Sequence, residues 1–236
     1  MNRTASGAPR PRTRGRRRAA PDLDGRERLL DRATELFAAQ GIAATTMAQI
    51  ASAADVTSAM VHYYFKNRET LLDIVVEERI ARAIHFVWQV GEADYEDDAV
   101  QIVHQLADRL FDVTGRMPWL PSLWLREVVN EGGMLRERLL ARIPMDNIRR
   151  FAHRIEAAQG AGTVNPDIEA PFLFLSILGL VMLPLATATI WQGLHKMPKL
   201  GRAALQRHVA ALLTSGLQPA PPARGRGGSR SARSRI

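Results

Sequence analysis

The amino-acid sequence predicts an all-α protein in which a small domain of three short helices precedes a larger helical domain. Apolar residues recur at spacings of three and four along most of the chain, and the alternation typical of β-strands is nearly absent. Turn signals divide the early part of the chain into short segments, whereas longer segments follow Gly91. We therefore predict domains at residues 21–66 and 67–218, between tails at residues 1–20 and 219–236.

The two tails are rich in arginine and contain no acidic residue. Residues 1–20 carry seven arginines and residues 219–236 carry five, so 20 basic residues face 24 acidic ones in the rest of the chain. Pro, Gly, Ser and Ala make up most of the remainder, and such segments bury too little apolar surface to offset chain entropy. We expect both tails to be disordered, and they suit either solubilising ends or arms that contact nucleic acid.

Composition also indicates the compartment. The chain contains no cysteine, which excludes disulfides, thiolate metal sites and cysteine nucleophiles. Its N-terminus lacks the apolar stretch of a signal peptide. These features predict a soluble, cytoplasmic protein.

The first helices have recognisable boundaries. Helix one carries an apolar stripe and ends at Gly41, a residue typical of helix C-termini. Helix two begins at Thr46, which has a glutamine three residues later in the spacing of a capping box. Thr57 is placed to cap a third short helix that runs to Phe65, and a longer fourth helix is predicted over residues 67–88.

The second half is predicted to contain longer helices. They span approximately residues 95–114, 121–130, 134–159, 167–192 and 200–215. The helix over residues 134–159 is expected to bend at Pro144. The segment "GAGTVNPD", residues 160–167, predicts a turn because of its glycines and its Asn-Pro pair.

The stretch "VTSAMVHYYFKNRETLL", residues 56–72, combines aromatic, hydroxyl and charged side chains in one short segment. Two short helices joined by a tight turn, with a third packed across them, form a helix-turn-helix, whose second helix lies in the DNA major groove. We expect Val56, Val61 and Phe65 to face inward. The predicted DNA-binding residues are Thr46, Thr57, Ser58, Met60, His62, Tyr63, Tyr64, Lys66 and Arg68. The same residue types also suit an ordinary helical bundle with solvated tyrosines.

Within that set, two roles are expected. Met60, His62 and Tyr63 are placed to reach base edges or thymine methyl groups. The phosphate-binding residues would be Thr46, Thr57, Tyr64, Lys66 and Arg68, since hydroxyls and cations near helix ends suit phosphate oxygens.

The run "GIAATTMAQIASAADVTSAMVHYYFKNRETLL", residues 41–72, resembles the tetracycline-repressor (TetR) family of bacterial transcription regulators, as does the preceding "LLDRATELFAAQ". The motif positions of that family correspond here to Thr45, Thr46, Ile50, Ala51, Val56, Thr57, Val61, His62, Tyr64, Phe65 and Arg68. Three positions depart from it: Asp55 and Ala59 stand where the family often has glycine, and His62 where tyrosine is usual.

The resemblance implies a helix-turn-helix DNA-binding domain followed by a helical domain that binds a small effector and forms a homodimer. It implies a regulator, expected to be a repressor, that binds a palindromic double-stranded DNA operator and is released by a small molecule. No cofactor is expected. A DNA-coating protein that binds without sequence preference through its arginine tails is the alternative.

An effector pocket is expected between the helices of the second domain. Its predicted residues are Trp88, His104, Met117, Trp119, Trp124, Arg126 and Phe151. Aromatic side chains and methionines in a bundle cavity suit an apolar or aromatic effector. Core packing is the alternative for each of them.

The run from Ala170 to Leu194 contains no charged residue. Its length raises the alternative of a transmembrane span, but Pro171 and Pro184 interrupt it and the flanking bundle would be divided by a membrane. A helix that is apolar on all sides also suits a dimer interface, and we expect no membrane partner. The predicted interface residues are Phe172, Leu175, Leu180, Leu183, Leu205, Val209 and Leu212.

An enzyme is the competing class of protein. The six histidines show no His-x-x-x-His pair, and Gly-rich phosphate loops and Gly-x-Ser-x-Gly motifs are missing. We therefore expect neither catalysis nor a bound metal.

Overall fold

The computed structural model describes residues 23–89, 98–194 and 201–219, and every regular element in these ranges is a helix. The helices are α1 Leu23–Gln40, α2 Met47–Ala53, α3 Ser58–Phe65, α4 Arg68–Val75, α5 Ala81–Val87, α6 Ala99–Arg116, α7 Leu120–Trp124, α8 Arg136–Leu140, α9 Met145–Gly160, α10 Ala170–Ala186, α11 Ala188–Gly193 and α12 Arg202–Leu217. The all-α prediction is confirmed. The predicted arm at residues 1–20 lies outside the described residues. So does the predicted tail at residues 219–236, except for its first residue.

The short N-terminal helices begin at the predicted caps. The Oγ1 of Thr46 accepts from the backbone N–H of Gln49 at 3.2 Å, and the Gln49 side chain accepts from the Thr46 N–H at 2.8 Å. This reciprocal pair completes the capping box of α2. Thr57 caps α3 and Asn67 caps α4, each accepting from the amide three residues further on. Local polar residues therefore determine where these helices start.

Three residues with positive φ end the first three helices. Gly41 follows α1 with φ of 90°, a conformation that glycine adopts without strain. Asp55 follows α2 with φ of 55°, and Lys66 follows α3 with φ of 48°. Aspartate tolerates this region because its short side chain bonds locally, so the turn forms without the glycine that is usual there.

Two apolar cores organise the chain. The first core joins α1 to α4, and its fully buried residues include Leu29, Leu30, Phe37, Ile50, Val61, Phe65, Leu71 and Leu72. It also contains Leu123, Leu135 and Leu139 from the second half of the chain. The helix-turn-helix region is therefore packed directly against the larger domain and not only joined to it by chain connectivity.

The second core lies within the larger domain. Its members come from α5, α6, α9, α10 and α12, and include Val103, Leu106, Leu110, Phe111, Ile155, Ile177, Val181, Leu205, Val209 and Leu213. The last three of these face inward at spacings of four along α12. One face of α12 therefore packs on its own chain.

Several long helices predicted from the sequence are divided in the structure. The helix predicted over residues 134–159 is two helices, α8 and α9, because Pro144 precedes α9 as its N-cap residue and cannot continue α8. The helix predicted over residues 167–192 is α10 and α11, which are separated at Thr187.

Two π-helical turns also interrupt the predicted regular helices. Val76–Ile80 joins α4 to α5, and Leu125–Val129 follows α7 directly. The run between residues 68 and 87 is thus continuous, as predicted, but irregular at its centre. Within the described residues, none of the helices combines the length and the apolar character that a membrane span requires.

Candidate nucleic-acid interface and an apolar cavity

The exposed face of α3 carries most of the predicted DNA-reading side chains. Val61 and Phe65 are fully buried and fix the inner side of the helix on the first core. On the outside, Tyr63 is 72% exposed and Met60 is 37% exposed. Ser58 and His62 are exposed as well. The buried pair determines the orientation of the helix, and its polar and aromatic side chains consequently face solvent.

The two tyrosines of α3 have different surroundings. Tyr64 is half-buried and packs against the first core. Its ring meets that of Tyr63 edge to face, with centroids 5.2 Å apart. Tyr64 thereby supports the position of the exposed Tyr63 ring.

His62 is held in a defined ring orientation. Its Nδ1 lies 2.9 Å from the backbone carbonyl oxygen of Lys66. A carbonyl oxygen can only accept, so Nδ1 carries the proton and donates. In the neutral tautomer with this proton, Nε2 would be an acceptor.

The predicted phosphate-binding residues differ in their contacts within the chain. Thr46, Thr57 and Lys66 are exposed at the ends of α2 and α3. Arg68, in contrast, donates from one guanidinium nitrogen to the carbonyl oxygens of Ile42 at 3.0 Å and Ala43 at 3.3 Å. It stabilises the loop before α2 through this nitrogen, and its contact with a phosphate stays a prediction.

A cavity of about 150 Å³ lies in the larger domain beneath the helix-turn-helix region. Its lining comes mainly from α5, α6, α7, α8 and α10, and consists of Ile80, Ala83, Ile84, Val87, Trp88, Leu110, Val113, Thr114, Leu120, Leu123, Trp124, Val128, Leu135, Leu139, Ile143, Pro144, Ile148, Phe174, Leu178 and Met182. The hydroxyl of Thr114 already donates to backbone carbonyls of α6 and accepts from Arg202. The cavity wall is therefore almost wholly apolar.

Two predicted pocket residues, Trp88 and Trp124, line this cavity. Phe151 instead lies behind Trp88 in the second core, with ring centroids 6.2 Å apart in an edge-to-face arrangement. Met117 packs on the second core and Trp119 on the first. Phe151 is buried, whereas Met117 and Trp119 are half-buried in the segment between α6 and α7. None of the three is among the residues that line the cavity.

The two polar anchors predicted for the pocket lie elsewhere. The Nε2 of His104 is 3.0 Å from the Oγ1 of Thr214, at the contact between α6 and α12. Arg126 is exposed and donates to the carbonyl oxygen of Ala39 at 3.4 Å. Neither residue lines the cavity, so both are corrections to the predicted pocket.

The predicted dimer residues separate into exposed and buried groups. Phe172, Leu175, Leu183 and Leu212 are 64%, 58%, 50% and 45% exposed, respectively. Leu180 is half-buried against the second core. Leu205 and Val209 are 5% and 1% exposed, since they form the inward face of α12. These last two are therefore inaccessible to a partner, which corrects that part of the prediction.

The sequence reasoning missed Glu127, a buried carboxylate that is 6% exposed. It lies in the π-helical turn Leu125–Val129. Its Oε1 accepts from the N–H of Ile42 at 2.9 Å, and its Oε2 accepts from the N–H of Met134 at 3.1 Å. The signal in the sequence was an acidic residue inside the apolar run "LWLREVV".

Ion pairs lie on both sides of the helical run that leads out of the DNA-binding region, formed by α4 and the π-helical turn Val76–Ile80. Arg26 of α1 makes a two-pronged pair with Glu78, at 2.8 and 2.6 Å. This hydrogen bonding from Arg26 lowers the pKa of the Glu78 carboxyl. On the other side, Arg138 of α8 pairs with Glu69 and with Asp73. Both domains therefore hold this helix in position.

Comparisons with known proteins agree with this architecture. The family model "Bacterial regulatory proteins, tetR family" matches residues 29–75, from within α1 to the end of α4. The HTH-type transcriptional regulator SrpR of Pseudomonas putida is 25% identical over 162 residues, which cover 65% of this chain and 71% of SrpR. The uncharacterized HTH-type transcriptional regulator TtgW of Pseudomonas putida is 38% identical over 64 residues, which cover 27% of this chain and 48% of TtgW.

Solved structures are similar over a larger part of the chain. The ketosteroid transcriptional regulator KstR2 of Mycobacterium tuberculosis aligns with a TM-score of 0.65 and 15% identity, over 84% of this chain and 97% of KstR2. At this low identity the likeness shows the fold, which extends through both domains.

Proposed function

We propose a mode of action for this chain, which belongs to the TetR family of bacterial transcription regulators: it represses transcription as a homodimer on a palindromic operator. A small apolar effector in the cavity of the larger domain releases it from DNA. Since its target is chromosomal DNA, we place the protein in the cytoplasm.

The exposed face of α3 carries this proposal. Tyr63 is 72% exposed although it is aromatic, and the neighbouring side chains can contact bases or phosphates. A helix of this kind in a helix-turn-helix lies in the major groove. With Nδ1 donating to Lys66, neutral His62 would use Nε2 to accept from the amino group of adenine or cytosine.

Dimerisation supplies the second half of the operator. Phe172 and Leu212 line the groove between α10 and α12, and Leu175 is exposed on α10. A twofold axis through this surface would present two copies of α3 to the same side of the DNA. Matching half-sites would then be separated by about one turn of DNA or somewhat more, on the order of 34 Å or longer.

The cavity supports an effector without charge or strong hydrogen-bonding groups. Its lining is mostly apolar, and the hydroxyl of Thr114 is already bonded. A polar ligand would lose hydrogen bonds to water without replacement, whereas an apolar one would not. The volume of about 150 Å³ suits a ligand of about the size of benzene unless the walls move.

The operator is first found by selecting genomic fragments that bind the protein, and affinities are then measured on it and on random DNA. Tyr63→Ala should weaken operator binding by roughly 1–3 kcal/mol and leave random-sequence binding nearly unchanged, because base contacts specify and phosphate contacts do not. Leu140→Ala, at an exposed position on α8, is the matched control. Unchanged operator affinity in folded Tyr63→Ala, or a footprint without sequence preference, would refute the proposal and favour a DNA-coating role.

A further inference from the structure

We propose that Glu127 is a positioning residue that couples the wall of the effector cavity to the DNA-binding domain through the end of α1. The inference rests on the proposed effector function. Its starting point is a buried carboxylate whose two oxygens accept from backbone amides of different domains, Ile42 at 2.9 Å and Met134 at 3.1 Å. Burying a carboxylate costs free energy of folding unless the carboxylate is hydrogen-bonded. Both contacts therefore constrain the positions of the Ile42 and Met134 amides relative to Glu127.

On the DNA-binding side, the carboxylate holds the loop that leads into the helix-turn-helix. Ile42 is fully buried, and its N–H donates to Glu127 while its carbonyl oxygen accepts from Arg68 at 3.0 Å. The loop continues through Thr45, whose hydroxyl donates to the carbonyl oxygen of Gly41 at 2.7 Å. Since Thr46 then begins α2, a displacement at Ile42 is transmitted to the start of the DNA-binding motif within four residues.

On the cavity side, Glu127 lies between residues of the wall. Trp124 lies three residues before Glu127 and Val128 directly after it, and both line the cavity. Met134, which donates to its other oxygen, is followed by another lining residue, Leu135. A ligand that pushes this wall outward therefore displaces the carboxylate or its donors.

The wall also fits tightly around Glu127. A Cβ at Gly133 would lie 2.2 Å from the backbone oxygen of Glu127, so the loop packs directly on the π-helical turn. The neighbouring Arg126 donates to the carbonyl oxygen of Ala39 at the end of α1. Arg126 and Glu127 thus join the cavity wall to the end of α1 and to the loop after it. These contacts are additional to the chain connection through α4 and α5.

These contacts predict how an effector would act. Outward movement of Trp124 and Val128 would either break the Glu127 bonds or carry Ile42 along. Leaving a buried carboxylate without its donors is unfavourable, so the end of α1 and the loop that it leads into would shift with the wall. Glu127 thereby makes the position of the helix-turn-helix depend on cavity occupancy.

The first experiment tests the positioning contact without any ligand. Amide hydrogen exchange is followed by mass spectrometry in the full chain, comparing Glu127→Gln and Glu127→Ala with the exposed control Glu131→Gln. In Glu127→Gln an amide NH₂ group replaces one of the two carboxylate oxygens. This group cannot accept, so one of the two backbone N–H groups loses its hydrogen bond. We expect exchange in residues 41–46 to accelerate at least about tenfold, the factor for the removal of one hydrogen bond, with residues 58–65 unchanged. Wild-type exchange over residues 41–46 in both Glu127 variants would overturn the proposal.

The second experiment tests coupling with benzene as the probe, since an apolar cavity of about this volume can hold it. Binding is measured by calorimetry, and exchange in residues 41–46 is compared with and without benzene. We expect benzene to change this exchange at least about threefold in the wild type and not in Glu127→Ala. Equal changes in both proteins, or none in a wild type that binds benzene, would overturn the coupling.

Failure of the effector proposal would be distinguishable. If benzene does not bind to the wild type, the proposed ligand class is contradicted, and the ligand-free exchange experiment still decides the role of Glu127. If Glu127→Ala shows wild-type exchange but benzene still binds and lowers operator affinity, the effector function stands and Glu127 does not transmit it.

Discussion

If the proposed dimer forms through α10 and α12, replacing an exposed leucine on either helix with arginine should favour monomers. Complete burial of a leucine side chain contributes roughly 1.5–3 kcal/mol. Leu175 is 58% exposed and Leu212 is 45% exposed in the single chain, so a partner could bury about half of each side chain. Because each residue occurs twice across a twofold axis, one substitution removes about 1.5–3 kcal/mol of dimerisation free energy.

That loss corresponds to a dimer dissociation constant raised about 10- to 150-fold, before the cost of placing two arginine charges in an apolar interface. The stability of the single chain should change little, because both side chains are already exposed to water in it. Sedimentation equilibrium measures the dissociation constant directly, and circular dichroism reports the fold.

Leu140→Arg is the matched control for this experiment, since Leu140 is 56% exposed but lies on α8, away from the surface in question. It should dimerise like the wild type. Dissociation constants within about threefold of wild type for Leu175→Arg, Leu212→Arg and the double variant would show that the interface lies elsewhere.

Three further predictions concern the arm, an ion pair and a turn. Deletion of residues 1–20 should flatten the slope of log affinity against log salt by about 0.9 for each phosphate that the arm neutralises; an unchanged slope would leave the arm as a solubilising end. Because Arg26 lowers the pKa of Glu78, their pair should stabilise the fold above the ordinary glutamate pKa of roughly 4.3 and lose that contribution as the pH falls further. Urea titrations across this pH range should therefore show a weaker acid dependence for Arg26→Gln, and an equal one would contradict the assignment. Since Asp55 has φ of 55°, Asp55→Gly should be about 1 kcal/mol more stable than Asp55→Ala in thermal melts; equal melting temperatures would show that the turn relaxes.

Local signals in the sequence predicted the DNA-binding half well. Thr46 and Thr57 mark the starts of α2 and α3 because capping depends on residues within three positions. The inward direction of Val61 and Phe65 follows from helical spacing, and both are fully buried. These features are short-range, so a single sequence contains enough information to place them.

Contacts between residues that are distant in the sequence could not be predicted from such short-range signals. Arg68 matches a position in the resemblance, yet its guanidinium bonds to the carbonyl oxygen of Ile42, 26 residues earlier. On α12, Leu205 and Leu212 belong to the same apolar pattern, and only the packing of the helix decides which one is buried. Trp119 and Trp124 likewise separate into a core residue and a cavity residue after the helices are packed.

The π-helical turns show why the remaining features escaped the sequence. A single π-helical turn shifts the apolar spacing by one residue, which a pattern that already mixes spacings of three and four does not distinguish. Val76–Ile80 and Leu125–Val129 each contribute one residue to the cavity lining, Ile80 and Val128. Both irregular turns therefore line the cavity and are joined to the DNA-binding domain, Val76–Ile80 through α4 and Leu125–Val129 through the contacts of Arg126 and Glu127.

Departures from local rules often mark functional positions, because a fold retains an unfavourable feature when function depends on it. Residues 125–129 combine two of them, a π-helical turn and the buried carboxylate of Glu127. A regular α-helix with an apolar residue at this position would satisfy packing more simply, but it would offer no acceptor to the N–H of Ile42. The cost of burying Glu127 is therefore explained if its bond to the DNA-binding domain must respond to movements of the cavity wall.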